Sequence, residues 1–282
     1  MEETPSPAGA SPAPLRPNNS TADVHDAPTR VEGTTERPGS RPAARDPRTA
    51  RHLSQRDIDA LVFIALMGVI AQGQLAQRVF KDLSEVVVSR CAKRLLRLGL
   101  IEVLRWNRIG INLLKLRTAG RDLLIEEGVP EEKIFMARWP TAGGLAHRLW
   151  IVDAAIALER MGGFRVQTCW MLRRALAGTK VPVPDLLALS KNGQRVIAVE
   201  IDNANENLKS FVVPRLRDLD AALHAWAPDA AAAIVILTLG ARRAVSLQQQ
   251  VPTTSALVAV DLLPSAVGRP AVDALVEVLT RG

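Results

Sequence analysis

Asp185, Glu200 and Asp202 are the carboxylates whose spacing points to chemistry. They stand in Val181-Pro182-Val183-Pro184-Asp185 and Ala198-Val199-Glu200-Ile201-Asp202, on either side of Asn192-Gly193. Asn-Gly between two apolar runs is a strong signal for a two-residue hairpin turn. That turn sets Lys191 opposite Gln194, so the numbers of paired residues sum to 385 and Asp185 falls across from Glu200. Side chains alternate along a strand, so Asp202 shares the face of Glu200. Facing Cβ atoms lie roughly 4.5–5.5 Å apart, where like charges repel. Such a cluster calls for a cation, a shared proton or open water. Mg²⁺ bound by a few carboxylates, water and phosphate would meet that need and activate a water. Two other readings stand beside it: a polar site without catalysis, and solvated strand ends. Metal-dependent phosphodiester cleavage ordinarily adds a Lys where this chain has Asp202, to stabilise charge developing on phosphate. Lys209 or Arg215, further along, are the groups that could replace it.

Other chemistries are excluded by composition. The chain has no Tyr, so a tyrosyl–DNA intermediate is impossible. Its four histidines, His25, His52, His147 and His224, are scattered and make no metal pair. No phosphate-binding P-loop is present, which argues against an ATP-driven motor. The two cysteines, Cys91 and Cys169, suit a reducing cytoplasm rather than a disulfide framework. The apolar runs are too short to span a bilayer, so no membrane partner is expected.

The elements that would position the acids follow from pattern. A helix over 147–161 precedes a strand over 164–170, the hairpin strands over 186–190 and 195–202, and a helical stretch over 205–226 that Pro214 kinks or restarts. A buried strand over 232–239 then implies a parallel crossover. A helix at 241–250, a strand at 256–262 and a helix from Pro270 complete the chain. Both faces of the hairpin strands are apolar: Leu187, Leu189, Val196 and Ala198 on one, Leu186, Ala188, Ile197, Val199 and Ile201 on the other. A sheet apolar on both faces needs helices on both faces, the mark of a central sheet in an α/β domain.

The first half reads differently. Residues 1–52 hold nine of the 18 prolines and equal numbers of acids and bases, seven each, which predicts a disordered tail. Ser54-Gln55-Arg56-Asp57 is a capping box. Three helices, a hairpin around 107–110 and a fourth helix follow, the order of a winged helix-turn-helix. In the third helix Val87, Cys91, Leu95 and Leu98 form an apolar face. Arg90, Lys93, Arg94 and Arg97 form a basic stripe, and the hairpin adds Arg105 and Arg108. Residues 89–121 contain nine basic groups and one acid, Glu102. That concentration is the electrostatic footprint of a phosphate-binding surface, so double-stranded DNA is the expected partner. The boundaries expected are a tail over 1–52, a winged helix-turn-helix over 53–135, a linker over 136–146 and an α/β domain over 147–282.

The α-β-β-β-α-β order, with Pro184-Asp185 on one strand and Glu200-Ile201-Asp202 on the next, resembles the core of the PD-(D/E)-x-K nuclease superfamily, a restriction-endonuclease-like mixed sheet. Joined to a winged helix, the chain resembles the replication-relaxation family of bacterial plasmids and mobile elements. Leu53-Ser54-Gln55-Arg56-Asp57, Arg94-Leu95-Leu96-Arg97-Leu98-Gly99-Leu100, Arg117-Thr118-Ala119-Gly120, His147, Trp170, Pro184-Asp185, Glu200-Ile201-Asp202 and Glu206 carry that resemblance. It implies a cytoplasmic DNA-binding protein in plasmid replication, relaxation or transfer, in contact with other proteins of those processes. The chain departs from the family pattern at Arg173-Arg174 and at Arg215-Leu216-Arg217. The expectation is a nuclease-like domain that binds without cutting. The alternative is a Mg²⁺-dependent endonuclease using Asp185, Glu200, Asp202 and Lys209.

Overall fold

The computed structural model describes residues 29–30, 53–107, 110–202, 212–252, 254 and 256–263. Arg108, Lys209, Glu206, the helix expected from Pro270 and nearly all of residues 1–52 lie outside the described residues.

The first half runs β1 (Thr29–Arg30), α1 (Gln55–Met67), β2 (Val69–Ala71), α2 (Gln72–Val79), α3 (Glu85–Arg97), β3 (Ile101–Trp106), β4 (Ile111–Leu116) and α4 (Thr118–Glu126). The capping box forms as expected: Asp57 Oδ2 accepts from the backbone N–H of Ser54 at 2.9 Å. β2, β4 and β3 form an antiparallel sheet, with β1 on the outer edge of β3. The three-residue β2 has no pattern of its own and is held by pairing with β4. Gly68, at φ +80°, turns the chain from α1 into β2. An added Cβ there would lie 2.6 Å from Phe135, so both conformation and space require glycine.

The second half runs α5 (Ala142–Arg160), β5 (Phe164–Thr168), α6 (Cys169–Ala175), β6 (Leu186–Ser190), β7 (Arg195–Asp202), α7 (Val213–Trp226), β8 (Ala231–Thr238), α8 (Ala241–Gln250) and β9 (Leu257–Leu262). The five strands lie in sequence order, β5 to β7 antiparallel and β7 to β9 parallel. The chain is thus α+β with a mixed sheet. Leu186 pairs with Val199 and Leu187 with Ala198, which is the register that Asn192-Gly193 dictates. The sheet is covered on both faces. Leu186, Ala188, Ile197 and Val199 pack with residues of α5, while Leu187, Val196 and Ala198 pack with Leu216, Leu219 and Leu223 of α7 and Leu247 of α8.

Two elements differ from the sequence reading, and α7 takes one of the two forms it allowed, a helix with Pro214 at its start. α5 begins at Ala142 because the Thr141 hydroxyl caps it, accepting from the Gly144 N–H at 3.4 Å; Gly143-Gly144 lie in its first turn. The strand expected over 164–170 stops at Thr168, and α6 begins at Cys169, so Trp170 is helical. Pro214 sits in the first turn of α7, where its missing N–H costs nothing.

α5 joins the halves. Its residues Leu149 to Leu158 are buried almost without interruption, because it packs against α2 and β2 on one side and against the large sheet on the other. One apolar cluster runs from Ile64, Leu75 and Leu95 through Trp150 to Val199. Trp170 adds a tie: its indole N–H donates to the Leu66 carbonyl at 2.8 Å, and its ring stacks on Phe135 with centroids 4.9 Å apart. Stacking of this kind adds about 1 kcal/mol beyond area burial. Among the described residues, no helix is long and apolar enough to cross a membrane.

Candidate functional site

Two surfaces carry the candidate residues. The first is α3. Ser84 stands at its N-cap position, though its hydroxyl makes no capping bond. Gly99, at φ +68°, ends the helix. Val88, Cys91, Ala92 and Leu95 are the buried positions; of the expected Val87, Cys91, Leu95 and Leu98, Cys91 and Leu95 are among them, and Val87 and Leu98 are partly buried against the same core. Arg90, Lys93 and Arg97 are exposed, and Val86 ahead of them is 56% exposed. Spacings of four, three and four residues put these side chains on one helix face. Glu85 is the only acid in α3. Arg105 on β3 is exposed as well, its guanidinium 3.4 Å from Asn112 Oδ1.

Arg94 differs from its neighbours. It reaches Asp57 of α1, whose side chain is fully buried, in an ion pair. Asp57 also accepts from the Cys91 thiol at 3.2 Å and the Ser54 hydroxyl at 2.8 Å. Burial pushes the Asp57 pKa up, but the bonds from Arg94, Ser54 and Cys91 outweigh it and hold the carboxyl below its ordinary value. Burial, and then the same carboxylate, push the Cys91 thiol up to about 12, so it stays protonated. Arg94 therefore fastens α3 to α1.

The second surface is the open end of the large sheet. Here the three carboxylates part company. Asp185 Oδ2 accepts the Ile201 backbone N–H at 2.9 Å and lies 3.1 Å from His147 Nε2 on α5. Glu200 projects to the opposite face, where Arg215 of α7 grips it through Nε at 3.2 Å and Nη2 at 3.0 Å. The same Nη2 donates to the Val183 carbonyl at 3.0 Å. Asp202 is buried and accepts from Thr238 Oγ1 at 2.6 Å and from Arg243 of α8 at 2.8 and 3.0 Å. The parallel register sets Asp202 beside Thr238.

Glu200 and Asp202 thus share a face, as alternation requires, but each is matched to its own arginine. Asp185 is turned to the helix on the other side. Among the described residues, no three of His, Cys, Asp and Glu are placed to hold one metal ion. Glu200 and Asp202 each turn their charge to an arginine rather than converging on a common point. Arg215, a candidate replacement for the strand lysine, is the partner of Glu200 instead. Burial disfavours the His147 cation, but the Asp185 hydrogen bond and charge, the Ile201 backbone and Glu200 raise its pKa above the ordinary value.

Sequence reasoning missed the partners Arg243 and Thr238, and a buried pair at the junction of the halves. Asp153 of α5 has no exposed surface. Its Oδ1 accepts from Gln74 Nε2 of α2 at 2.7 Å, while Oδ2 has no hydrogen-bond partner. Gln74 also donates to the Leu149 carbonyl at 2.8 Å and accepts from the Ala71 N–H at 2.9 Å. An acid inside the apolar run of α5 was the available signal.

Fold and site together define an α+β protein in which a helical unit with an exposed basic helix is fused through α5 to a mixed five-stranded sheet. The sequence profile of the replication-relaxation family matches residues 61–224, more than half of the chain, and the protein belongs to that family. Searches among curated proteins and among solved structures returned no match.

Proposed function

We propose that this protein binds double-stranded DNA and acts in the replication, relaxation or transfer of a plasmid or other mobile element. In this reading the α1–α4 unit is a winged helix-turn-helix over residues 53–135, with α3 as its recognition helix and the β3–β4 hairpin as its wing. The part from residue 147 onward is a restriction-endonuclease-like domain that serves as a binding or recruitment platform in the cytoplasm. The observation that carries the reading is the exposed face of α3, where Arg90, Lys93 and Arg97 align without an interleaved acid. Such a face meets phosphates, and a single Arg on it can read a guanine edge. Family membership supports the same process. The paired state of Glu200 and Asp202 favours binding over cutting.

Retention of a labelled duplex at low salt tests this. The wild type should bind, and Arg90→Gln/Lys93→Gln/Arg97→Gln should lose most of the affinity while keeping its melting temperature. A wild type that retains no duplex would overturn the reading.

A further inference from the structure

The head of α3 differs in chemistry from the rest of its exposed face. Val86, the second residue of the helix, is 56% exposed, and among the described residues no large apolar side chain is more exposed. Of the three consecutive valines, Val88 is buried and Val87 packs against the same core, whereas Val86 faces solvent. A β-branched residue loses rotamer freedom on a helix, and Val86 gains no packing in return. Arg90, Lys93 and Arg97 follow it four, seven and eleven residues on, and all three are exposed. At 3.6 residues per turn the four side chains fall within an arc of about 60°. They make one line, apolar at its head and cationic behind. Glu85, beside Val86, and Leu83, just ahead of the N-cap, are exposed too. Lys81 of the same connection lines a cleft with residues of α5 instead.

An apolar side chain and an acid do not suit a phosphate, whereas Arg90, Lys93 and Arg97 do. A duplex that engages this line therefore sets its backbone against the cations and its base edges against the head. A rise of 1.5 Å per residue puts Lys93 and Arg97 about 10 Å and 16 Å behind Val86. The major groove is about 12 Å wide, so a helix entering it head first brings Val86 among the base edges while the cations reach phosphates of the groove wall. Of the groups that base pairs present in that groove, the 5-methyl of thymine is the apolar one. The valine side chain neither donates nor accepts a hydrogen bond. It favours a methyl by contact, and a polar edge beneath it loses its water without a replacement.

We infer that Val86 is a specificity-determining residue, which reads the 5-methyl group of a thymine in the major groove of a duplex held by Arg90, Lys93 and Arg97. This rests on the proposed DNA binding by α3 and adds the base that the helix reads. The test selects a duplex from a random pool with the wild-type protein, then replaces its thymines one at a time by deoxyuridine, which lacks only the 5-methyl. Fluorescence anisotropy gives the affinities of the wild type and of Val86→Ser. Val86 is exposed, and Ser and Val are close in helix propensity, so the variant should melt with the wild type. The expected result is one position at which loss of the methyl weakens wild-type binding about fourfold, the effect of one buried methyl group. Val86→Ser should bind the two duplexes alike and keep the wild-type salt slope. A wild type that binds with a salt slope but selects no sequence, or is indifferent to every methyl, would overturn the role of Val86 while leaving α3 binding intact. A Val86→Ser variant that still discriminates would do the same. Wild-type protein without salt-dependent binding would overturn both.

Discussion

Arg94 of α3 is ion-paired with Asp57 of α1, whose side chain is wholly buried beneath it. The pairing divides the basic stripe by role. Arg90, Lys93 and Arg97 face solvent, while Arg94 satisfies a buried carboxylate. Removing Arg94 leaves the wholly buried Asp57 carboxylate without its cation, and removing Asp57 also breaks the capping box, each at a cost of about 2 kcal/mol. Arg94→Ala should therefore lower the melting temperature markedly, and Asp57→Ala should do likewise. Urea unfolding of the two variants and the wild type checks this. The Asp57 pKa is lowered in the fold, so its contribution is present above pH about 4 and is lost as pH falls through the folded value. Acid unfolding near pH 3 should be less steep in Asp57→Asn than in the wild type.

Asp153 should make the protein less stable as pH rises. Burial pushes its carboxyl up to about 7, and the Gln74 bond offsets only part of that. A raised pKa means that the folded state holds a proton which the unfolded chain releases. Stability from this group is full below pH about 4 and falls as pH passes about 7. The shift amounts to on the order of 4 kcal/mol at about 1.4 kcal/mol per unit. Asp153→Asn should melt higher than the wild type at pH 8, and by a smaller margin at pH 5. Thermal melts at the two values decide it, and a variant that melts lower at pH 8 would refute the assignment.

His147 should titrate above its ordinary range because Asp185 holds the cation. In Asp185→Asn the burial remains and the charge goes, so the His147 pKa should fall. Its stabilising effect is full below pH about 6.5 and is lost as pH rises through the folded pKa. Ring proton shifts in an NMR pH titration report both values. An unchanged pKa in Asp185→Asn would show that the 3.1 Å contact is not the cause.

Supercoiled plasmid with Mg²⁺ or Mn²⁺ should remain uncut by the wild type and by Glu200→Ala alike. Arg215 and Arg243 already neutralise the two acids of β7. Cleavage by the wild type that Glu200→Ala abolishes would restore the endonuclease alternative.

Much of the scaffold was legible in the sequence because it rests on local rules. Asn192-Gly193 sets the register of β6 and β7, and the two apolar faces of those strands require helices on both sides. Ser54 and Asp57 mark the start of α1. The acidic site was legible only in part. Register ends at the Leu186–Val199 pair, just short of Asp185 and Glu200, and which helix covers each strand end decides where a carboxylate finds its cation. Arg215 and Arg243 come from α7 and α8, and nothing local to β7 announces them. The apolar face of α3 was legible through Cys91 and Leu95, but a 3.6-residue period accepts Val87 or Val88, and packing buries Val88 fully and Val87 in part. α6 was missed because Cys169-Trp170 continues the apolar character of β5.

The most direct test of DNA binding by α3 is the salt dependence of duplex affinity. Each phosphate contact contributes about 0.9 to the slope of log affinity against log salt. Wild type and Arg90→Gln/Lys93→Gln/Arg97→Gln are compared by fluorescence anisotropy over a series of salt concentrations. A steep wild-type slope, shallower by about 2.7 in the variant, is the predicted result. Equal slopes, or a wild-type affinity indifferent to salt, would contradict the account.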